Sequence, residues 1–195
     1  MSFDFVIAGV GGQPIDRMLE LLAGACEIAG QQLSTTAPRG VLVLGGSRLA
    51  QVCVGESWSP IVTEDTGELL IGLEVGEALR FAKYCARDGV ALVDTFVLPP
   101  VAPRDPRPYP GPSEVEPALR EVIRSVHVAD YGALAAKAGA PSDHAYAFLL
   151  GAASRLGGLD ALRESWKAGL ASAKATEAET ASFMAGAAWA EKAKL

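Results

Sequence analysis

The sequence predicts an α/β fold: a largely parallel sheet with helices on both faces, followed by a helical C-terminal part. Short apolar runs alternate with amphipathic stretches over residues 1–140, as in successive strand–helix units. Over residues 141–195 the periodicity is helical throughout. A length of 195 residues suits one domain with a sizeable core, so we expect a single domain, 1–195, whose C-terminal helices pack on the α/β core.

The N-terminal stretch carries the clearest local pattern. Residues 3–8 form a short apolar run and predict a buried first strand. Gly9, Gly11 and Gly12 then predict a tight turn, and Pro14 stands where a helix would begin. The helix face expected in the core comprises Ile15, Met18, Leu19, Leu22, Cys26 and Ala29. Backbone N–H groups at such a strand–turn–helix junction predict a pocket that favours anions.

This turn matches the dinucleotide-binding fingerprint only in part. Pro14 occupies the place of the third glycine, and the region 31–36 supplies no acidic residue for a ribose hydroxyl. Two interpretations therefore stay open. The glycines either bind a ligand or only permit a tight turn between a strand and a helix.

The remaining elements of the α/β part follow in order. Further strands or buried loops are predicted at 39–46, 49–54, 68–73, 90–97 and 125–130. A helix is predicted at 75–86, with Asp88-Gly89 as its stop signal. A second helix is predicted from a capping box of Ser113 and Glu116 to about Arg124, and a third at 131–138. Seven prolines within 99–112 exclude a helix or an inner strand there, leaving a surface connector or a strap against a partner subunit.

Three helices are predicted in the C-terminal part. Residues 145–156 are apolar on most sides and should be buried, and the stripe of the next helix runs through 159–170. Thr176 and Glu179 form a capping box that opens the last helix. Its core stripe comprises Phe183, Met184, Ala187 and Ala190. Trp189 lies off this stripe, either as a contact for another chain or as a single exposed aromatic residue.

Composition excludes several classes of protein. The net charge of −6, without any basic block, argues against nucleic-acid binding. The apolar runs are strand-sized or broken by charges, so no membrane span is expected, and the N-terminus has no pattern of a secretory signal. Cys26, Cys53 and Cys85 form neither a C-x-x-C pair nor a cluster motif, which predicts buried free thiols, a cytoplasmic location and no iron–sulfur cluster on this chain.

The sequence shows no metal ligands with a recognised spacing. The histidines, His127 and His144, stand in a predicted strand and at a predicted helix start, without an H-x-x-x-H or H-E-x-x-H pattern. Adjacent helical residues do not face each other, so Asp143 is interpreted as a helix-start charge and not as a partner of His144.

No catalytic set is visible either. Ser47 follows two glycines but is not part of a G-x-S-x-G elbow. Glu74 and Asp94 follow predicted strands and could line a crevice at the carboxyl ends of the sheet, yet nothing orders them for catalysis. From its residues alone, the chain is therefore not predicted to be an enzyme that works by itself.

The opening residues 5–13 closely resemble the start of the gamma-type subunit of 2-oxoacid:ferredoxin oxidoreductases. Within that family the sequence is most like the small (beta) subunit of indolepyruvate ferredoxin oxidoreductase. The resemblance continues through 46–55, 59–60, 69–74, 77–80, 98–100 and 148–152. It thus covers most of the chain in order, at plausible spacing.

The resemblance implies a three-layer α/β sandwich with a mostly parallel, Rossmann-like sheet. It implies a subunit of an enzyme that oxidatively decarboxylates a 2-oxoacid, here indolepyruvate or another aryl 2-oxoacid, to an acyl-CoA and passes electrons to ferredoxin or another acceptor. Thiamine diphosphate and iron–sulfur clusters would lie in a large partner subunit, and this chain would help form the substrate or coenzyme A side. The binding residues implied are Gly9, Gly11, Gly12, Gln13, Arg39, Gly45, Gly46 and Ser47.

The chain departs from the family pattern at defined positions. Pro14 replaces a glycine, and Tyr146 replaces a polar helix residue. An Ala-Gln-Arg-Gly-Gly segment preceded by a histidine is replaced by residues 42–46, with Arg39 at the histidine position. Aliphatic side chains thus replace a Gln-Arg pair able to bind anions, and Arg39 restores one charge. Two other functions stay open: a stand-alone nucleotide- or flavin-binding module, and a scaffold that kept the fold without ligand binding.

Overall fold

A computed structural model describes residues 2–37, 44–57, 59–100 and 108–195. One six-stranded sheet has the order β2-β3-β1-β4-β5-β6. The strands are β1 (Phe3–Val10), β2 (Leu33–Thr36), β3 (Ser47–Val54), β4 (Gly67–Gly72), β5 (Cys85–Asp94) and β6 (Ser125–Ala129). β1, β4, β5 and β6 are parallel, and β3 runs antiparallel to both of its neighbours. The prediction of a mostly parallel sheet is confirmed.

The described residues form seven α-helices, which cover the two faces of this sheet. They are α1 (Ile15–Ala29), α2 (Val75–Phe81), α3 (Pro112–Val122), α4 (Tyr131–Lys137), α5 (Ala145–Ala153), α6 (Trp166–Ser172) and α7 (Glu177–Ala193). Because side chains alternate along a strand, Phe5 and Ile7 of β1 face the core shared with α1 and the C-terminal helices. Val6 and Ala8 face the second core, under α2 and α3. This is the expected three-layer arrangement.

Helix α1 shows why the predicted stripe was too narrow. Ile15, Met18, Leu22 and Cys26 are buried as predicted, while Leu19 and Ala29 are partly buried. Leu21, Gly24 and Ala25 are also buried, and α6 packs against α1 at Gly24 and Ala25. A side chain at Gly24 would overlap the carbonyl oxygen of Gly169 in α6.

The predicted helix 75–86 is too long. α2 ends at Phe81, a 3₁₀ turn spans Ala82–Tyr84, and β5 already begins at Cys85. The Asp88-Gly89 pair therefore lies inside a strand and is not a stop signal. The pairing of β4 and β5 is irregular here, passing from Gly67↔Cys85 to Leu69↔Val90, and that irregularity accommodates the extra β5 residues.

The capping box predicted for α3 is wrong. The helix begins at Pro112, and the Glu114 carboxylate accepts a hydrogen bond of 3.0 Å from the Gly111 N–H group. Proline suits the first helical position because its missing N–H would have no partner there, which moves the start ahead of Ser113. In contrast, the box of Thr176 and Glu179 at the start of α7 is confirmed.

Three further expectations are corrected. The stripe at 159–170 is divided between a 3₁₀ segment, Gly157–Leu162, and α6. Met184 is 49% exposed and does not belong to the buried stripe of α7. Trp189 is half-buried against Tyr131 and Phe148, at ring-centroid distances of 5.6 and 6.0 Å, so it is not a single exposed aromatic residue.

The predicted segment 39–46 lies mostly outside the described residues, and at its described end Leu44 is 83% exposed. All three cysteines are buried and free. Burial raises the pKa of Cys26 to about 11 and that of Cys85 to about 12, so these thiols stay protonated. No helix within the described ranges is long and apolar enough to cross a lipid bilayer.

Candidate functional site

The glycine turn and the Gly45-Gly46-Ser47 stretch meet at one edge of the sheet. β1 ends there at Val10, and because β3 is antiparallel, its first residue, Ser47, lies opposite Val10. Two backbone hydrogen bonds join the loops: the Gly11 N–H donates to the Gly46 oxygen at 2.7 Å, and the Gly45 N–H donates to the Gly11 oxygen at 2.9 Å. The predicted binding residues therefore lie together, except Arg39, which is outside the described residues.

The glycines of this site have different roles. Gly12 (φ 101°) and Gly45 (φ 76°) adopt left-handed backbone conformations that other residues rarely take. Gly9 lies in β1 and not in the turn as predicted. A side chain at Gly9 would overlap the Gln13 amide oxygen, so close packing explains this glycine.

Gln13 fastens the turn to the neighbouring strand. Its Oε1 accepts from the Val10 N–H at 2.8 Å, and its Nε2 donates to the Leu73 oxygen, just beyond β4, at 2.7 Å. The Gln13 N–H in turn donates to the Val10 oxygen at 3.0 Å. The N–H groups of Val10, Gly11 and Gln13 thus donate to protein acceptors and do not point into an anion-binding pocket of the kind that the pattern predicted.

Gln13→Glu is expected to lower the free energy of unfolding by about 2 kcal/mol. The variant keeps the acceptor for the Val10 N–H but sets a carboxylate oxygen against the carbonyl of Leu73. Urea unfolding at pH 7 measures the change, and Gln31→Glu, at an exposed position, is the matched control. Equal stability of the Gln13 variant and the wild type would show that this side chain does not hold the turn.

Charged residues missed by the sequence analysis surround Ser47 and Arg48. The Ser47 hydroxyl donates a short hydrogen bond to Glu77, whose buried carboxylate also pairs with Arg80 at 3.2 Å. Arg48 is 8% exposed, with its Nη2 at 2.5 Å from an Asp16 oxygen. Among the described residues, its buried Nε has no hydrogen-bond partner. The Ser47–Glu77 and Arg48–Asp16 contacts join residues 30 and 32 positions apart, which periodicity does not reveal.

Glu74 and Asp94, which the sequence placed at a crevice, have structural partners. Glu74 is fully buried and accepts from the Glu77 N–H at 2.8 Å, as the N-cap of α2. Asp94 accepts from the Phe96 N–H at 2.9 Å, and burial raises the pKa of its carboxyl. Neither carboxylate is paired with a nucleophile or a histidine in the described part of the chain.

The two histidines also lie away from the edge of the sheet that contains the glycine turn and Ser47. His127, on β6, lies 3.2 Å from the Ser125 hydroxyl, and burial lowers its pKa. His144 does contact Asp143, with 2.8 Å between Nδ1 and Oδ1, contrary to the prediction. The pair sits in a 3₁₀ turn, Ser142–His144, where the spacing argument for α-helices does not apply.

The site is therefore a hydrogen-bonded edge made mostly of backbone. Across the described ranges, no group of His, Cys, Asp and Glu side chains could hold a metal ion. Among the described residues, most of the polar side-chain atoms at this edge bind one another or the backbone, an arrangement that positions the loops.

Comparison with known proteins identifies the family and relatives of this chain. Residues 4–189 match the family model described as pyruvate ferredoxin/flavodoxin oxidoreductase. Over 140 residues, 71% of this chain, the sequence is 31% identical to the indolepyruvate oxidoreductase subunit IorB of Archaeoglobus fulgidus, covering 70% of that protein. Its identity to the IorB subunit of Methanothermobacter thermautotrophicus is 27%, over 71% of each chain.

Solved structures share the fold. The gamma subunit of a keto/oxoacid ferredoxin oxidoreductase from Geobacter sulfurreducens superposes with a TM-score of 0.65 at 22% identity, covering 99% of this chain and 98% of that one. The 2-oxoglutarate:ferredoxin oxidoreductase of Magnetococcus marinus, solved with 2-oxoglutarate, coenzyme A and succinyl-CoA bound, gives 0.60 at 20% identity. This chain corresponds to 31% of that longer chain.

Proposed function

The chain belongs to the pyruvate ferredoxin/flavodoxin oxidoreductase family, and we propose that it is a subunit of a thiamine-diphosphate-dependent 2-oxoacid:ferredoxin oxidoreductase. The proposed substrate is indolepyruvate or another aryl 2-oxoacid, converted by oxidative decarboxylation to an acyl-CoA. The observation that carries the proposal is the family match over residues 4–189, and the 31% identity to an indolepyruvate oxidoreductase subunit supports the substrate class.

The catalytic cofactors are assigned to a large partner subunit. The residues described here do not fit an iron–sulfur cluster, because the three cysteines are buried in separate elements, with Cys26 in α1, Cys53 in β3 and Cys85 in β5. Thiamine diphosphate would supply the carbanion chemistry when bound to that partner. The proposed role of this chain is to present a fixed surface to the partner subunit. That surface would form part of the substrate or coenzyme A side of the assembly.

The edge that contains the glycine turn is the proposed contact surface. Gly12 and Ser47 are exposed along it, and Gln13, Gly45 and Gly46 are partly buried. Gly9 and Gly11 are buried and shape the turn from within, and Arg39 would add a positive charge. Ser47 is exposed, and the bond from its hydroxyl to Glu77 leaves acceptor capacity for a ligand. Gln13 contributes indirectly, by holding the turn against the end of β4.

Purification of the tagged chain from its native host at moderate salt tests the proposal. We expect a large chain to co-purify, carrying thiamine diphosphate and iron–sulfur clusters, and the complex to reduce ferredoxin with an aryl 2-oxoacid and coenzyme A. Assays with pyruvate and 2-oxoglutarate give the matched comparison of substrates. Recovery of the chain alone, with a nucleotide or flavin bound, would instead support a stand-alone binding module.

A further inference from the structure

Glu77 is a buried carboxylate whose two oxygens hold two different side chains. Its Oε2 accepts a short hydrogen bond from the Ser47 hydroxyl, and its Oε1 accepts from the Arg80 Nε at 3.2 Å. The side chain of Glu77 is 6% exposed, whereas that of Arg80 is 60% exposed. The carboxylate thus lies inside the protein, while the two residues that it holds, Ser47 and Arg80, are exposed.

Elements from different parts of the chain bring these residues together. Ser47 is the first residue of β3, opposite Val10 at the end of β1, and Glu77 lies in the first turn of α2. The Glu74 carboxylate caps that turn by accepting from the Glu77 N–H at 2.8 Å. Long helical side chains point back toward the N-terminus of their helix, so the guanidinium of Arg80 lies beside Glu77, on the same edge as Ser47.

The bonds to Glu77 decide what Ser47 and Arg80 can offer to a ligand. The Ser47 proton is directed at a carboxylate, so its oxygen is left to accept a hydrogen bond from a ligand N–H or O–H group. Glu77 uses the Nε donor of Arg80, and within the described ranges the Nη groups make no hydrogen bond. The pair therefore presents one acceptor beside one cation whose outer donors are free.

The neighbouring negative charges are turned inward. Glu74 is fully buried and accepts from the Leu98 N–H at 3.1 Å and from the Tyr109 hydroxyl at 2.9 Å. Glu77 is likewise buried and held by donors. The charged group that faces solvent here is the Arg80 guanidinium, which suits the planar oxygen pairs of carboxylate and phosphate groups.

We propose that Arg80 binds an anionic group of a ligand at this edge, next to the Ser47 oxygen, and that Glu77 is the positioning residue that fixes both. This role rests on the proposed function and extends the ligand contact assigned there to Ser47. The ligand chemistry is a carboxylate or phosphate with an N–H or O–H donor nearby. A 2-oxoacid would supply the carboxylate, and coenzyme A would supply the phosphate. A guanidinium already held by Glu77 loses little side-chain freedom on binding, which favours so small a group.

Steady-state kinetics of the purified complex carrying Arg80→Gln test the proposal. We expect KM for one anionic substrate to rise about tenfold or more, because a charge-assisted hydrogen bond is lost, while kcat stays within about twofold. A rise for the 2-oxoacid alone identifies its carboxylate, and a rise for coenzyme A alone identifies a phosphate. Arg80→Lys keeps the charge and should recover part of the loss. Arg163→Gln is the matched control, since Arg163 is also exposed and paired with an acidic residue three positions away, Asp160. It should keep both KM values.

Glu77→Gln tests the positioning role. The amide retains one acceptor but loses the charge that holds the guanidinium, so the same KM should rise with kcat little changed. In the double variant with Arg80→Gln, KM should stay close to that of Arg80→Gln alone, because the effect of Glu77 passes through Arg80. Losses that multiply would instead indicate a general structural role. Should Glu77→Gln fail to fold, Arg80→Gln still decides the question.

The remaining outcomes separate this proposal from the proposed function. An active complex in which Arg80→Gln leaves both KM values unchanged would overturn the role of Arg80 and leave the proposed function intact. Loss of the large partner at moderate salt, with unchanged KM values in the complex that remains, would make Arg80 a subunit contact and would also overturn it. A wild-type complex that oxidises no 2-oxoacid would overturn the proposed function, and the role of Arg80 with it.

Discussion

Gly186→Ala is expected to lower the free energy of unfolding by about 3 kcal/mol or more. Gly186 is buried in α7, where that helix crosses α5, and a Cβ atom there would overlap the backbone oxygen of Phe148. The obstacle is backbone of a packed helix, which has no rotamer to adjust. At an open helix position the same change would stabilise, since alanine is favoured over glycine by about 1 kcal/mol.

The helix crossing is reciprocal, which gives a sharper form of this prediction. A Cβ atom at Gly151 of α5 would overlap the backbone oxygen of Phe183 of α7. We therefore expect Gly151→Ala to cost a similar free energy. Once one substitution has forced the helices apart, the second meets less resistance, so the double variant should lose clearly less than the sum of the two.

Urea and thermal unfolding of the three variants measure these effects. Gly111→Ala is the control, because nothing lies within 4 Å of a Cβ atom at that position and its φ of −92° suits alanine. It should cost less than about 1 kcal/mol. Wild-type stability of Gly186→Ala would mean that α5 and α7 do not approach as closely as described.

Much of the fold was predictable because it depends on local pattern. The alternation of apolar runs and amphipathic stretches correctly predicted the sheet and its helices. The position of β3 between β1 and β2 was not predictable, since strand order depends on contacts between distant residues, such as Phe5 with Val52. The same holds for Trp189, whose position on Tyr131 and Phe148 depends on how three helices pack together.

The candidate site also has features that the sequence predicts and features that it does not. The sequence indicated the glycine turn and the Gly45-Gly46-Ser47 stretch, and the structure brings them together. It did not indicate that Gln13 would bind Leu73, 60 residues away. A tight turn depends on neighbouring residues and can be recognised from its glycines. The hydrogen-bond partner of a buried polar side chain depends on how the whole chain packs.

The ion pair between Arg17 and Glu179 is the second place where a large effect is expected. Arg17 of α1 donates from Nε and Nη2 to the two Glu179 oxygens, at 2.6 and 2.9 Å. Glu179, 3% exposed, also accepts from the Tyr146 hydroxyl at 2.7 Å and from the Thr176 N–H at 2.7 Å. One carboxylate thus joins α1, α5 and the start of α7.

Glu179→Gln is expected to lower the free energy of unfolding at pH 7 by about 2–3 kcal/mol, because it leaves Arg17 without its buried counter-charge. Urea unfolding measures the loss. Glu20→Gln is the matched control: Glu20 also contacts Arg17, at 2.9 Å, but is 61% exposed and should matter by less than about 1 kcal/mol. Equal losses in the two variants would contradict the assigned role of burial.

The pH dependence of stability gives an independent readout of the same pair. The hydrogen bond from Arg17 lowers the pKa of Glu179 from 4.5 to about 2. Well above pH 4.5 the carboxylate is ionised in both the folded and the unfolded chain, and its contribution to stability is complete. As the pH falls toward 2, the unfolded chain binds this proton first, so the wild type loses that contribution.

The stability difference between the wild type and Glu179→Gln should therefore narrow steadily between pH 5 and pH 2. A constant difference across that range would show that the carboxylate charge is not what stabilises the junction.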